Sequence, residues 1–469
     1  MNTTAQNLIG FLNLAELGIG SAIAFTLYKP LHEKNTQVIN EIVSVQGWLY
    51  RRVAYIVIAG ACILMFFFPL IFAKAQVPLW YTYGSFIVLL VSTLLGYFVN
   101  YRQIVLTADQ KEYKITLNIQ GFKVIKVLLQ ILAISYLSNG YVYWMILELG
   151  MSVITAIVLD KLLKKEYPWL KTISSEGGRL RKKYPEIITK TKQVFYHQVA
   201  TIVLAQTSPL IIYAYASLTL VAVYGNYMLI VTGVSLLMDA LLRGINAGVG
   251  SLVAEGESKR IKDVFWELTS LRMWLASIAC FGIYKFSHSF ITLWVDGEFV
   301  LEHHAFVVLL LIAFINMTRT NDTFLAAYGL FQDVWAPLTE AGLNLALSIL
   351  LGYFYGLIGI LFGVLISMLL IVCGWKPFFL YKCGFHEGVG EYVVGYLKYV
   401  ILIIISFVCI SALTDHLFVL PIYSYATWGW LVFRVLSFYT LSSFLLFAIV
   451  DKSFRRWIIR IMMLSLIHI

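Results

Sequence analysis

Charge is what this sequence has least of. Asp, Glu, Lys and Arg make up 13% of 469 residues, while hydrophobic residues make up 60% and the mean hydropathy is +0.82. Soluble domains carry about a quarter of their residues as charges, so a soluble protein does not fit. Cysteine is nearly as scarce. Cys62, Cys280, Cys373 and Cys409 lie inside apolar runs and Cys383 just past one. Their odd number and lack of metal-ligand spacing exclude a disulfide framework or a zinc site and leave core packing. No P-loop, no paired carboxylates in a polar loop and no H-E-x-x-H occur, so no ATPase, glycosyltransferase or metalloprotease is written here and no cofactor is implied. His303-His304 has no obvious third ligand and reads as a solvated turn. A cleavable signal peptide is missing too, because the first apolar stretch holds Asn13 and Glu16 and lacks a basic start.

What is there is long apolar sequence. Thirteen stretches predict helices near 7–28, 53–73, 80–105, 117–138, 141–159, 194–216, 219–253, 271–293, 305–327, 335–355, 357–380, 397–414 and 427–450. Segments of about 20 apolar residues span a bilayer as helices. The expected fold is therefore all-α, a polytopic membrane protein. The formal charge of +10 falls almost wholly in alternate loops. Arg51, Arg52, Arg102, Lys111, residues 161–192, Lys259, Lys376 and Lys452–Arg460 share one side. Asp296, Glu298, Glu302 and Asp415 lie on the other. That pattern argues against nucleic-acid binding and places the basic loops and the C-terminus in the cytoplasm.

One motif appears twice. Gly18-Ile19-Gly20-Ser21-Ala22-Ile23-Ala24 returns 230 residues later as Gly248-Val249-Gly250-Ser251-Leu252-Val253-Ala254. Leu106-Thr107-Ala108 likewise aligns with Leu325-Ala326-Ala327, which sets Asn100–Gln103 against Arg319–Asp322. Two related six-helix halves are the expected consequence, a transporter habit. The expected domains are an N-terminal lobe over 1–160, a basic cytoplasmic linker over 161–193, and a C-terminal lobe over 194–382. A two-helix extension and basic tail over 383–469 completes the chain. The linker's charge run reads as a solvated, lipid-facing segment. Only five helices precede it and Met1 falls outside the cell, so the first helix of the N-terminal lobe is expected to be missing.

Polar residues inside membrane helices are costly and mark function. Asp239, Arg243, Asn246 and Gly250 step by four, three and four and share one helix face. On the related first helix, Asn13, Glu16 and Gly20 take the positions matching Arg243, Asn246 and Gly250. Asn316, Arg319 and Thr323 share another face, with Asp322 beside them. Glu148, Glu340, His197 and Arg434 read as isolated, and Gln206-Thr207-Ser208-Pro209 as a kink. Asp239–Arg243 and Arg319–Asp322 are also spaced as internal ion pairs, a purely structural alternative. Arg243 and Arg319 are the anion candidates, since guanidinium forks grip phosphate bidentately. Gly244-x-x-x-Gly248 and Gly359-x-x-x-Gly363 fit close helix packing.

Leu14-Ala15-Glu16-Leu17-Gly18-Ile19-Gly20-Ser21-Ala22-Ile23, followed by Leu27-Tyr28-Lys29-Pro30-Leu31, resembles the second helix of bacterial polysaccharide flippases. Ala108–Tyr113, Phe290–Trp294 and Arg319–Phe324 resemble later segments of that family. The family comprises Wzx-type O-antigen and capsule flippases, in the superfamily that also holds multidrug-extrusion transporters. The resemblance implies two six-helix lobes around a cationic cavity that moves polyprenyl-pyrophosphate-linked oligosaccharides from the cytoplasmic to the periplasmic leaflet of the bacterial inner membrane. It carries Glu16, Arg243 and Arg319 onto cavity helices, with Asp239, Asn246, Asn13, Asn316 and Asp322 alongside. The implied partners are the lipid-linked oligosaccharide, membrane lipids, a coupling cation or proton, and the polysaccharide polymerase machinery. A cation-coupled small-molecule exporter of the same superfamily is the rival reading, and an O-antigen polymerase the rival from the enzyme class.

Overall fold

A computed structural model describes residues 8–10, 12–16, 18–71, 78–215, 218–242, 245–417 and 424–467. Among them there is no strand. Among the described residues, ten helices are long and apolar enough to cross a membrane. One of them, Trp335–Phe385, covers the two stretches expected at 335–355 and 357–380, so eleven of the thirteen expected helices are accounted for. The other two, near 7–28 and 194–216, are helical over their described parts, and both include undescribed residues. The protein is a multi-pass membrane protein.

Two compact units divide the chain, Met1–Gln198 with Gly244–Glu255, and Val199–Arg243 with Gly256–Ile469. In the first unit, α1 (Ile19–His32) follows a 3-10 turn at Asn13–Glu16. Then come α2 (Thr36–Phe66), α3 (Leu79–Phe98), a 3-10 turn at Asn100–Gln103, α4 (Ile104–Ala108), α5 (Glu112–Tyr136), α6 (Gly140–Glu166), α7 (Gly177–Leu180) and the start of α8 (Pro185–Tyr215). Ile23, Leu27, Val43, Ala54, Val57, Phe86 and Leu106 form its core. Apolar side chains also coat the outside. Leu117, Val124 and Ile131 of α5 are 70%, 60% and 54% exposed, as a bilayer solvent allows.

Repeated glycines set the helix contacts. Gly18 opens α1 at φ +90°, and a Cβ there would stand 2.7 Å from the Thr191 carbonyl of α8. The second copy of the motif lies on α10 (Ile245–Glu255), which packs against α1 within the same unit. A Cβ on Gly250 would stand 2.4 Å from the Tyr28 ring. The helices that carry the duplicated segments therefore pack against each other.

The basic linker departs from expectation. It is strapped across the first half of α2 rather than simply solvated. Asn40 donates to the Trp169 carbonyl at 3.2 Å and accepts from the Lys171 amide at 2.9 Å. The Ile173 amide donates to Ser44 Oγ at 2.9 Å, and Tyr101 Oη lies 2.8 Å from Thr172 Oγ1 and 3.1 Å from Ser174 Oγ. Tyr167, Leu170 and Ile187 are buried. A polar strip on α2 (Asn40, Ser44) supplies partners for the backbone of 167–176, which has no helix of its own.

The second unit holds α9 (Leu218–Leu242), α11 (Ser258–Trp294), α12 (His303–Met317), α13 (Thr320–Ala327), α14 (Trp335–Met368) with its helical continuation to Phe385, α16 (Gly390–Leu417), α17 (Tyr425–Val450) and α18 (Lys452–Ile467). Lys376–Leu380, within that continuation, is α15. Gly356 breaks α14 at φ +60°. Behind the break the helix folds back, so that a Cβ on Gly359 would stand 2.0 Å from the Leu351 carbonyl and one on Gly363 2.4 Å from the Ser348 amide. The Gly359-x-x-x-Gly363 expectation holds. Gly244 of the other such pair lies outside the described residues.

Candidate functional site

Helix α12 stops at Thr318, and Arg319 (φ −76°, ψ 54°) leaves helical geometry before α13 begins. The break exposes the first amides of α13 and puts Asp322 in its first turn, where negative charge is favoured. Arg319 Nε donates to Asp322 Oδ2 at 2.6 Å, and its Nη1 faces Asn316 Oδ1 at 3.4 Å. Lys376 of α15 donates to Asp322 Oδ1 at 2.7 Å. Lys376 is 8% exposed and Glu340, in the field of Arg319 and Lys376, is 3% exposed. From α11, Arg272 donates to Thr323 Oγ1 at 3.2 Å and feels the charges of Asp322 and Asp239.

Among the described residues, three cations thus gather around Asp322. Buried polar atoms here lack a hydrogen-bond partner: Arg272 Nε, Thr320 Oγ1 and Asn321 Oδ1. Arg319, Asp322, Thr318, Cys373 and Tyr396 line a cavity of about 10 Å³, the size of one water. Native interiors leave few such atoms unsatisfied.

The first unit has its own polar cluster. Tyr50 of α2 donates to Glu16 Oε1 at 2.7 Å, and Tyr97 of α3 donates to Asn13 Oδ1 at 2.9 Å. The two rings meet edge to face at 5.6 Å. Glu16 and Asn13 are half-buried against α2 and α3. Gln46 is buried nearby with its Oε1 unpartnered.

Similarity can now be set beside this geometry. No protein-family model matches the chain, and a search of curated proteins finds no match either. Solved structures do match. A single-residue variant of the Vibrio cholerae MATE transporter VcmN aligns over 83% of this chain and 88% of its own, at 13% identity and a TM-score of 0.62. A multidrug resistance MATE family transporter of the MOP superfamily, in an outward-facing conformation, aligns over 79% and 84%, at 13% identity and 0.59. The fold is that of the MATE transporters. The lipid II flippase MurJ aligns over 95% of this chain and 92% of its own at 15% identity, but its TM-score of 0.47 carries no argument.

The expected site residues divide accordingly. Arg319, Asp322 and Asn316 come together as one cluster, and Glu16 and Asn13 as another. Arg243 lies outside the described residues, so the Asp239–Arg243 pair has no geometry here; Asp239 and Asn246 are exposed. Several readings need correction. Glu340 is not isolated, as shown above. Neither is Glu148, which takes Lys126 Nζ at 2.7 Å and Gln130 Nε2 at 2.9 Å between α5 and α6. Lys376 reads as a loop cation in sequence but is buried on Asp322. Cys62 and Cys409 are exposed rather than packed in the core. The helix α8 is assigned through Pro209, and the side chains of 205–210 lie outside the described residues. Arg272, Lys376, Tyr50 and Tyr97 are the polar residues that sequence reasoning passed over. Lys376 lies near the end of the stretch expected at 357–380 and reads as a flanking cation, and the two tyrosines are among many aromatics.

Proposed function

We propose that this membrane protein translocates polyprenyl-pyrophosphate-linked oligosaccharide repeat units from the cytoplasmic to the periplasmic leaflet of the bacterial inner membrane, with its C-terminus in the cytoplasm. The observation that carries this reading is the convergence of Arg319 and Lys376 on the single carboxylate of Asp322. Two cations on one carboxylate in an apolar surrounding leave positive charge that favours an anion. A pyrophosphate offers oxygens to both partners, in the geometry a guanidinium fork prefers. Asp322 holds the cations in place while no substrate is bound, and the head group displaces it on binding. The polyprenyl tail stays in lipid, so only the head group needs this polar help. Release requires a state in which the cations return to Asp322, and the substrate shifts the balance only by its differential affinity for the two states.

Replacing Arg319 or Lys376 with Ala is expected to abolish surface polysaccharide even where the protein still reaches the membrane, in reduced amount for Lys376→Ala. Arg319→Lys should rescue in part, keeping charge but losing the fork. Full transport by both Ala variants would overturn the reading.

A second reading is a cation-coupled small-molecule exporter. The MATE fold favours it, and so does the cluster of Glu16, Asn13, Tyr50 and Tyr97, in which a carboxylate and three neutral oxygens could receive a cation or proton. Efflux of cationic drugs dependent on Glu16, with no effect of Arg319→Ala, would decide for it.

A further inference from the structure

Trp48 projects from α2 with cations on it. Arg52 Cζ lies 4.3 Å from the ring centroid and Arg181 Cζ 4.8 Å. The two guanidinium groups are therefore no more than about 9 Å apart. Arg51, Arg52 and Arg181 are all exposed, and among the described residues none of the three has a carboxylate partner. Their neighbours differ. Lys183 bonds Glu41 at 2.6 Å, Arg179 bonds Glu176 at 3.2 Å and Lys164 bonds Asp160 at 2.6 Å.

The placement is built, not incidental. A Cβ on Gly177 would stand 2.4 Å from Trp48 Cβ, so the linker can lie this close to Trp48 only because glycine is there. The Arg181 amide then donates to the Gly177 carbonyl at 2.9 Å, which fixes Arg181 one turn further on. Depth is fixed as well. Before Arg51, α2 carries the linker on Asn40 and Ser44. Beyond Arg52 it turns apolar side chains outward, with Tyr55, Ile56 and Ile63 at 63%, 60% and 62% exposure. Arg51 and Arg52 thus lie where the outer surface of α2 changes from polar to apolar.

We propose that this surface binds the headgroup of an anionic phospholipid. The three guanidinium groups face the phosphate layer, and two of them are held in register by one indole. The exposed Tyr55 and Ile56 below them offer an apolar surface to an acyl chain, which a free phosphate would not use. A zwitterionic headgroup brings its own ammonium to the same cations and gains less.

The test is lipid binding to the purified full chain in detergent, read by native mass spectrometry with phosphatidylglycerol and phosphatidylcholine. Phosphatidylglycerol should bind more tightly. Arg52→Ala with Arg181→Ala should weaken it roughly 30-fold, about fivefold for each cation, and leave phosphatidylcholine unchanged. The corresponding pair of Lys substitutions should keep most of the affinity. Arg179→Ala, whose cation is already paired, should have no effect. Should the double variant elute as aggregate, Arg52→Gln alone must still weaken phosphatidylglycerol about fivefold. Unchanged phosphatidylglycerol binding in a monodisperse variant overturns the proposal. So does complete displacement of the lipid by millimolar inorganic pyrophosphate, which would make this a site for free phosphate.

Discussion

Lys376 donates to Asp322 Oδ1 at 2.7 Å across 54 residues of sequence, and Arg319 takes the other carboxylate oxygen at 2.6 Å. Breaking a fully buried pair from one side costs about 3–5 kcal/mol, and less here because the Asp322 side chain is about a third exposed. Lys376→Met should therefore lower the thermal stability of the detergent-solubilised protein. The double variant Lys376→Met with Asp322→Asn should recover part of that loss, because no carboxylate is left facing one cation fewer. Strict additivity of the two single effects would show that the residues are not coupled.

The four glycines of the duplicated motif should respond differently to alanine. Gly18 has φ +90° and a Cβ on Gly250 would stand 2.4 Å from the Tyr28 ring, whereas the nearest atoms to a Cβ on Gly20 and Gly248 are 3.8 and 3.7 Å away. Overpacking costs about 1–3 kcal/mol, so Gly18→Ala and Gly250→Ala should lower the melting temperature. Gly20→Ala and Gly248→Ala should leave it unchanged or raise it, since Gly is a poor residue inside a helix. Equal responses at all four positions would contradict the packing of Gly18 against α8 and of Gly250 against α1.

Much of this was legible in the sequence. Apolar runs located the helices, because a backbone in lipid has to bond to itself. Gly356 falls between the stretches expected at 335–355 and 357–380, and there the chain breaks. The repeat that set Asn100–Gln103 against Arg319–Asp322 also shows in the backbone, since a helix ends just before each segment. Partners were not legible. Arg319–Asp322 is a local i,i+3 pair and could be read from spacing, but Lys376, Arg272, Tyr50 and Tyr97 arrive from distant helices. Hydropathy says that a residue is buried in the bundle without saying which side chain it meets. The linker was misread for the same reason, because its partners Asn40 and Ser44 lie in a helix some 130 residues earlier.

Asn40 offers a separate test of that strap. It bonds both the Trp169 carbonyl and the Lys171 amide. Asn40→Ala removes two hydrogen bonds, about 1–3 kcal/mol in all. Faster hydrogen exchange should follow over Trp169–Ser174, with α5 and α6 unaffected. Protection equal to wild type would show that the linker is held by other means.

Asp451 joins the end of α17 to α18. It accepts from Lys398 at 2.8 Å, from Ser270 at 2.7 Å, from Tyr399 at 3.1 Å and from the Phe454 amide at 2.8 Å. Burial pushes its carboxyl up, yet Lys398, Ser270 and the Phe454 amide outweigh that and hold it below the ordinary carboxylate value. A depressed folded-state pKa gives stability that is present above the unfolded value of about 3.9 and lost as pH falls through the folded one. The melting-temperature difference between wild type and Asp451→Asn should therefore be constant above about pH 5 and shrink as pH falls below 4. A difference that instead grows on acidification would reverse the sign of the argument.

The most direct measurement is flipping of a defined polyprenyl-pyrophosphate oligosaccharide in vesicles reconstituted with the purified chain. Wild-type protein should move the substrate across the bilayer, and Arg319→Ala at equal reconstitution should slow it by roughly ten- to a hundredfold, the loss of one charge-assisted contact. Wild-type vesicles that leave the lipid-linked sugar in place while exporting a cationic dye would contradict the account.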